Sequence, residues 1–262
     1  MTVENWYTQH YDEDARLEGF SVEWLRTTEL VSRVLPAAPA RVADIAGGTG
    51  RYASWLAGQG YRVDMLDLVP LHVEVARQRT AGQDVECVVG DARALPWADE
   101  TFDAAMIMGA LYHLQERDDR LACLAEARRV LKPGGVLVTE HIGRWASLFD
   151  GYRRGMAADP DFRRIVDADL ATGCHNNPTE HPNWFTTAYF HRPDEVQDEV
   201  AAAGFTDVKV LAVDGFASDE QMPVELQSGD GLDDLLRHLR ETESEPFLMG
   251  ASSHLMSLSR KP

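Results

Sequence analysis

The run Asp44-Ile-Ala46-Gly47-Gly48-Thr49-Gly50 sets three glycines between an apolar β-like run and a helical pattern. Glycine tolerates left-handed backbone and lets a ligand approach the main chain. The helix that follows offers unpaired N–H groups suited to a carboxylate or phosphate. Gly48-Thr-Gly-Arg-Tyr-Ala53 satisfies G-x-G-x-x-A, and Asp67 ends the next β-like run, where an acid that binds ribose hydroxyls belongs. Such a loop serves more than one adenosine-bearing cofactor, and a tight turn without ligand is the plainer alternative. A second acid, Asp91, lies just past the third β-like run, in Val88-Val-Gly-Asp91-Ala92-Arg-Ala-Leu-Pro-Trp97. Acids at such places are often N-caps or turn residues. At two consecutive strand ends on one sheet edge they read as ligands.

A titratable group follows the fourth β-like run, in Gly109-Ala-Leu-Tyr112-His113-Leu114. His113 titrates near neutrality and is the candidate base for an acceptor hydroxyl or amine. Its plainer reading is a histidine that packs or bonds backbone. Tyr112 reads as a pocket wall.

An alternating sheet must position these residues. β-like runs at Arg41–Ala46, Tyr61–Leu66, Asp84–Val89, Phe102–Met108 and Val136–Glu140 alternate with helical patterns at Arg51–Gln59, Leu71–Arg79 and Arg117–Leu131. This rhythm predicts an α/β fold with a doubly wound, mostly parallel sheet, of seven strands once runs near Thr206–Val213 and Ser253–Arg260 are added. The reading is one domain over 1–262, with an N-terminal helical cap (1–35) and an inserted helical lid (141–192). That insertion shows two helical stretches and no convincing strand; one of its length is usually functional.

Composition narrows the partners. The 262 residues are 44% hydrophobic and 26% charged, with a net charge of −18. That surface repels phosphate backbones and anionic lipid, so neither nucleic acid nor membrane is expected. Three scattered cysteines without a CxxC pair, and no basic-then-apolar start, point to the cytoplasm. A monomer or homodimer acting on a small molecule is the expectation.

The glycine loop, Asp67, Asp91, Phe102-Asp103 and Leu131-Lys-Pro-Gly-Gly135, in that order, resemble the small-molecule branch of the class I S-adenosylmethionine-dependent methyltransferases. The resemblance is close over about 40–140. It implies S-adenosylmethionine as cofactor and methyl transfer to an O, N or C atom of a small-molecule acceptor. By that resemblance Ala46, Gly47, Gly48 and Gly50 line the methionine end, with Leu68 beside the ribose ligand Asp67. Asp91 and Ala92 hold the adenine, and Met108 and Gly109 lie under the sulfonium. Asp44, inside the first strand, is expected to orient the loop through backbone N–H groups. The family motif has glycine where this chain has Ala46. Two alternatives stay open: a cofactor-binding protein or pericyclic-type catalyst on the same fold, and a nicotinamide-dependent oxidoreductase.

The acceptor is expected near the insertion and the N-terminal segment. Tyr7, Tyr11, Tyr112, His141, Arg144, Trp184 and Tyr189 are the candidate contacts, their aromatic and polar mixture suiting a small-molecule pocket. The insertion's aromatics as its own core is the equal alternative. Its histidines follow no H-x₃₋₅-H or H-E-x-x-H spacing, so no metal is expected.

Overall fold

Along strand β1 (Arg41–Ile45) side chains alternate between two apolar layers, and that alternation builds the molecule. Val42 joins Val63, Met65, Met106 and Val138 on one face; Ala43 and Ile45 join Leu66, Ala105, Ile107 and Leu137 on the other. A computed structural model describes residues 21–217 and 222–262 of the chain.

Helix α1 (Val22–Ser32) precedes β1 and is capped by the Ser21 hydroxyl, which accepts from the Trp24 N–H at 3.1 Å. Then follow α2 (Arg51–Gly58), β2 (Arg62–Asp67), α3 (Pro70–Arg79), β3 (Val85–Val89), β4 (Phe102–Ile107), α4 (Ala110–His113), α5 (Arg117–Val130) and β5 (Leu131–Ile142). The insertion contributes α6 (Ala146–Arg153), α7 (Pro160–Thr172), β6 (Cys174–His175) and β7 (Ala188–Tyr189). The chain closes with α8 (Pro193–Ala202), β8 (Thr206–Ala212), α9 (Gly229–Thr242), α10 (Pro246–Met249) and β9 (His254–Arg260).

Seven strands form one sheet in the order β3-β2-β1-β4-β5-β9-β8. The pairs among β1 to β5 are parallel, and β9 runs antiparallel to both its neighbours. Leu30 and Val31 of α1, Leu56 of α2 and Val73 of α3 cover one face; Leu124 and Val130 of α5 with Val196 and Val200 of α8 cover the other. Between β1 and β4 the winding changes direction, and a crevice opens there at the carboxyl ends of the strands.

The insertion departs from its expected form. β6 and β7 pair antiparallel, Cys174 with Tyr189 and His175 with Ala188. Two residues per strand are too few to show alternation in sequence. The loop behind α4 clamps this ribbon, as Gln115 Nε2 donates to the His175 and Ala188 carbonyls at 2.9 and 3.0 Å. Among the described residues, no helix is long and apolar enough to cross a membrane. The first twenty residues of the expected cap, Tyr7 and Tyr11 among them, lie outside the described residues.

Candidate functional site

The crevice holds a cavity of about 210 Å³. Its lining includes Ala46, Gly47, Gly48 and Thr49 after β1, and Asp67, Leu68, Val69 and His72 after β2. Gly90, Asp91, Ala92 and Arg93 follow β3, and Met108, Gly109, Tyr112, His113 and Leu114 follow β4. Four strand ends therefore converge on one space.

The loop's backbone explains its residue types. Ala46 has φ +59° and Gly48 φ +56°, both left-handed. An alanine in that region costs roughly 1–2 kcal/mol, so Ala46 is held there against its preference. A Cβ on Gly47 would come within 2.6 Å of Asp44 Oδ2 and 2.8 Å of Met65 Cγ, leaving no room for a side chain. A Cβ on Gly48 would meet nothing within 4 Å, so the loop leaves open space at the cavity.

Asp67 is the most organised group. Its Oδ2 accepts from the Gly48 N–H at 2.9 Å, and its Oδ1 accepts from the Val69 N–H at 2.8 Å. His72 Nδ1 lies 3.2 Å from the same Oδ1. Glycine loop and α3 are thus tied through one carboxylate. Asp91 is held by Arg93, whose NH2 group is 2.7 Å from Oδ2 and keeps the carboxyl below its usual range. Arg93 also reaches Asp119 at 3.0 Å.

At the other end, Met108 and Gly109 lead into α4. The Tyr112 hydroxyl donates to the Met108 carbonyl at 3.4 Å. His113 Nδ1 is 3.2 Å from the Thr187 carbonyl oxygen. A carbonyl only accepts, so Nδ1 carries the proton and Nε2 is the acceptor nitrogen of the neutral ring. Burial lowers the His113 pKa to about 4, against the pull of the Thr187 carbonyl and Asp67. Phe185 stacks on the ring at 5.6 Å.

Several expected positions fall elsewhere. Asp44 and Gly50 do not line the cavity. Asp44 is fully buried, and no N–H of the glycine loop bonds its carboxylate. Burial, then the charge of Asp67, raise its pKa to about 7, with the Ala53 N–H pulling the other way. Gly50 has φ +78°, and a Cβ there would strike Ala76 Cβ at 2.8 Å; its role is close packing of α2 against α3. His141, Arg144, Trp184 and Tyr189 also lie away from the cavity. Trp184 packs with Phe162, Ile165 and Val166 in the insertion's own core. Arg144 donates to the Phe190 carbonyl at 2.7 Å and pairs with Glu195, while Tyr189 lies under the Arg120 guanidinium at 3.9 Å. His141 meets His191 edge to face at 4.6 Å on the α5 and α8 side of the sheet.

Other lining residues escaped the sequence reading. Arg51 and Tyr52 line the cavity from the first turn of α2, with Trp24 stacked on Tyr52 at 5.0 Å and the Arg51 guanidinium 4.2 Å from the Trp24 ring. His72 and Arg93 sit five and two residues beyond the two acids, and that spacing was the available signal. Among the described residues, no group of three or more His, Cys, Asp or Glu could hold a metal ion.

Residues 43–139 match the family model of the methyltransferase domain. A demethylmenaquinone methyltransferase of Clavibacter sepedonicus is 38% identical over 129 residues, 49% of this chain and 51% of that protein. A ubiquinone/menaquinone biosynthesis C-methyltransferase of Desulfotalea psychrophila is 32% identical over 178 residues, 64% of this chain and 66% of that one. The chain thus spans about half to two thirds of the length of these relatives. A solved S-adenosylmethionine-dependent methyltransferase from Methanosarcina mazei shares the fold. Its TM-score is 0.60 at 18% identity, over 88% of this chain and 96% of that one. Over this domain the chain is similar to S-adenosylmethionine-dependent methyltransferases. The open space at Gly48 and the adjoining carboxylate of Asp67 fit that family's cofactor, whose ribose and adenine present hydroxyl and amino donors.

Proposed function

We propose that this protein transfers a methyl group from S-adenosylmethionine to a small-molecule acceptor and releases S-adenosylhomocysteine. The observation that carries the reading is the single cavity where the glycine loop, Asp67, Asp91 and the Met108-Gly109 turn converge. Ala46, Gly47 and Gly48 would hold the methionine end, Asp67 with Leu68 the ribose, Asp91 with Ala92 the adenine, and Met108 with Gly109 the sulfonium end. The bound cofactor supplies a methyl group already activated by its positive sulfur. The chain's own task is then alignment of the acceptor with that methyl, worth up to roughly 7–11 kcal/mol when the geometry is held.

The acceptor enters beside Tyr112, His113 and Leu114. This wall is largely apolar, and its His113 ring is backed by Phe185. The relatives' names, which specify quinone substrates, favour an apolar, ring-bearing acceptor. The net charge of −18 opposes a polyanionic one. Residues 141–192 serve as the lid: Phe185 and Thr187 already touch His113, so the insertion abuts the cavity's acceptor side.

Calorimetry and thermal shift decide the cofactor. S-adenosylhomocysteine at a hundredfold excess over its dissociation constant stabilises by about 2.7 kcal/mol, and NAD gives no shift. Release of S-adenosylhomocysteine is then followed by mass spectrometry against a panel of phenols, quinols and amines. A shift with NAD and none with S-adenosylhomocysteine overturns the reading.

A further inference from the structure

Helix α4 is a single turn, Ala110–His113, and one turn of helix is not stable by itself. The chain leaves it in extended form, Leu114 having φ −97° and ψ 95°, so the Leu114 and Gln115 carbonyls lie outside any helix. Leu114 lines the cavity with Tyr112 and His113, on the side assigned to the acceptor. The position of this wall must therefore be set from outside α4. Arg120 of α5, 2% exposed, does so. Its Nη1 donates to the Leu114 carbonyl at 2.9 Å and to the Gln115 carbonyl at 2.7 Å. Its Nε and Nη2 donate to the two carboxylate oxygens of Glu199 in α8, at 2.8 and 2.6 Å. Its guanidinium lies over the Tyr189 ring of β7, 3.9 Å from the ring centre. The rigid fork thus locks two carbonyls, a carboxylate and an aromatic ring to one another.

Burial pushes the Glu199 carboxyl up, yet Arg120 and then His191 hold it at about 2, so the buried pair is ionised. A buried ion pair adds little to stability, because desolvation offsets the attraction, so stability alone does not account for this one. We propose that Arg120 is a positioning residue for methyl transfer: through the Leu114 and Gln115 carbonyls it sets where the acceptor wall stands, and Glu199 holds it in place. Arg120 does not itself line the cavity, so it acts through that wall. Asp67 and Asp91 stand on other strand ends and keep their places without it. Loss of Arg120 therefore separates acceptor alignment from cofactor binding. A misplacement of about 1 Å in such alignment costs about a hundredfold in rate. This proposal rests on the acceptor reading above.

The test compares Arg120→Met, Arg120→Lys and the double variant Arg120→Met with Glu199→Met. Each is measured for urea midpoint, for calorimetric affinity toward S-adenosylhomocysteine, and for kcat and KM with the phenol, quinol or amine that the wild type methylates best. Arg120→Met leaves the Glu199 charge buried without its partner and is the least stable. The double variant removes both charges and regains that stability, so it carries the comparison if the single variant fails to fold. Arg120→Lys keeps the charge beside Glu199, but a point charge cannot span both carbonyls and the carboxylate. All three should bind S-adenosylhomocysteine within about threefold of wild type, and their kcat/KM for the acceptor should fall about ten- to a hundredfold. Turnover that returns together with stability in the double variant overturns the proposal, because the pair is then only structural. So does wild-type turnover in Arg120→Lys, or affinity for S-adenosylhomocysteine that falls in step with turnover. A wild type that binds S-adenosylhomocysteine and methylates none of the panel overturns the acceptor reading and this proposal together; the other outcomes overturn this proposal alone.

Discussion

His113 Nδ1 and the Thr187 carbonyl oxygen lie 3.2 Å apart, and this bond joins the wall of the cavity to the segment that follows β5. It fixes the ring's tautomer and couples the acceptor side of the site to the insertion. Phe185 stacked on the same ring strengthens the junction. A histidine so enclosed is neutral at physiological pH, because burial lowers its pKa to about 4. Proton abstraction works best with a pKa near the working pH, so this ring is better suited to orienting an acceptor than to taking its proton.

The first prediction follows from that shift. The His113 imidazole should stay neutral down to about pH 5, read from its Cε1–H proton resonance across a pH series. Its folded pKa lies below the unfolded value, so protonation favours the unfolded chain. The stability tied to this group is present above about 6.5 and is lost as pH falls toward 4. His113→Phe keeps the stacking on Phe185 and should flatten that part of the stability profile. A resonance that titrates near 6.5 would return His113 to the candidate bases.

Asp44 shows the opposite sign. Burial and the charge of Asp67 raise its pKa to about 7, against a model-peptide value near 3.9. Its contribution to stability is complete below about pH 4 and is lost as pH rises through 7. The shift corresponds to several kcal/mol, about 1.4 for each unit. Asp44→Asn should therefore raise the melting temperature relative to wild type at pH 8 far more than at pH 5. Parallel melting curves across that range would remove Asp44 from this account.

The glycine loop gives a steric prediction. Gly47→Ala would set a Cβ 2.6 Å from Asp44 Oδ2 and 2.8 Å from Met65 Cγ. Both neighbours are fully buried, so relief requires repacking, at a cost of about 1–3 kcal/mol. Ala46→Gly relieves left-handed strain of roughly 1–2 kcal/mol but frees the unfolded chain by about 0.4–1 kcal/mol, so it should be neutral or mildly stabilising. Urea unfolding of the two variants checks both signs.

The sheet was legible in sequence because its central strands are short apolar runs closed by turn residues: Gly47-Gly48 after β1, Gly90-Asp91 after β3. The acids at those ends were legible for the same reason, since strand ends on one edge converge at the winding switch. The insertion was not. His141, Arg144, Trp184 and Tyr189 have the side-chain types of a pocket, and composition does not say which way a side chain faces. Arg144 reads as a ligand-binding cation until Glu195 and the Phe190 carbonyl are seen to satisfy it. The tie between His72 and Asp67 was within reach of spacing, because the first turn of a helix opening after a strand brings such residues back to the strand end.

Arg144 is a direct test of that distinction. Its side chain is buried and holds the Phe190 carbonyl, the Tyr189 hydroxyl and Glu195. Arg144→Met leaves a buried carbonyl and a partly buried carboxylate without their donor, at about 1–3 kcal/mol for such groups. Affinity for S-adenosylhomocysteine should stay within twofold of wild type, since Arg144 does not line the cavity. A variant of unchanged stability with altered ligand binding would bring Arg144 back to the acceptor pocket.

The last prediction concerns the lid. Amide exchange with and without S-adenosylhomocysteine should show strong added protection at 46–49, 67–69 and 91–93, whose residues line the cavity. A second, weaker zone should appear at 185–188. Nothing in 141–192 lines the cavity among the described residues, so protection there must pass through a contact. The route is α4: a ligand packed on Met108 and Gly109 steadies Tyr112 and His113, and His113 steadies Thr187. Gln115 then carries the effect to both strands of the small ribbon through the His175 and Ala188 carbonyls. His113→Phe cuts the bond to Thr187 while keeping an aromatic ring against Phe185. In that variant the zone at 46–49 should keep its full protection, and the zone at 185–188 should lose most of its gain. Equal protection at 185–188 in both proteins would mean that the insertion responds by another path. No response in either would make it a fixed wall of the fold, because coupled segments must share the stabilisation that a ligand confers on one of them.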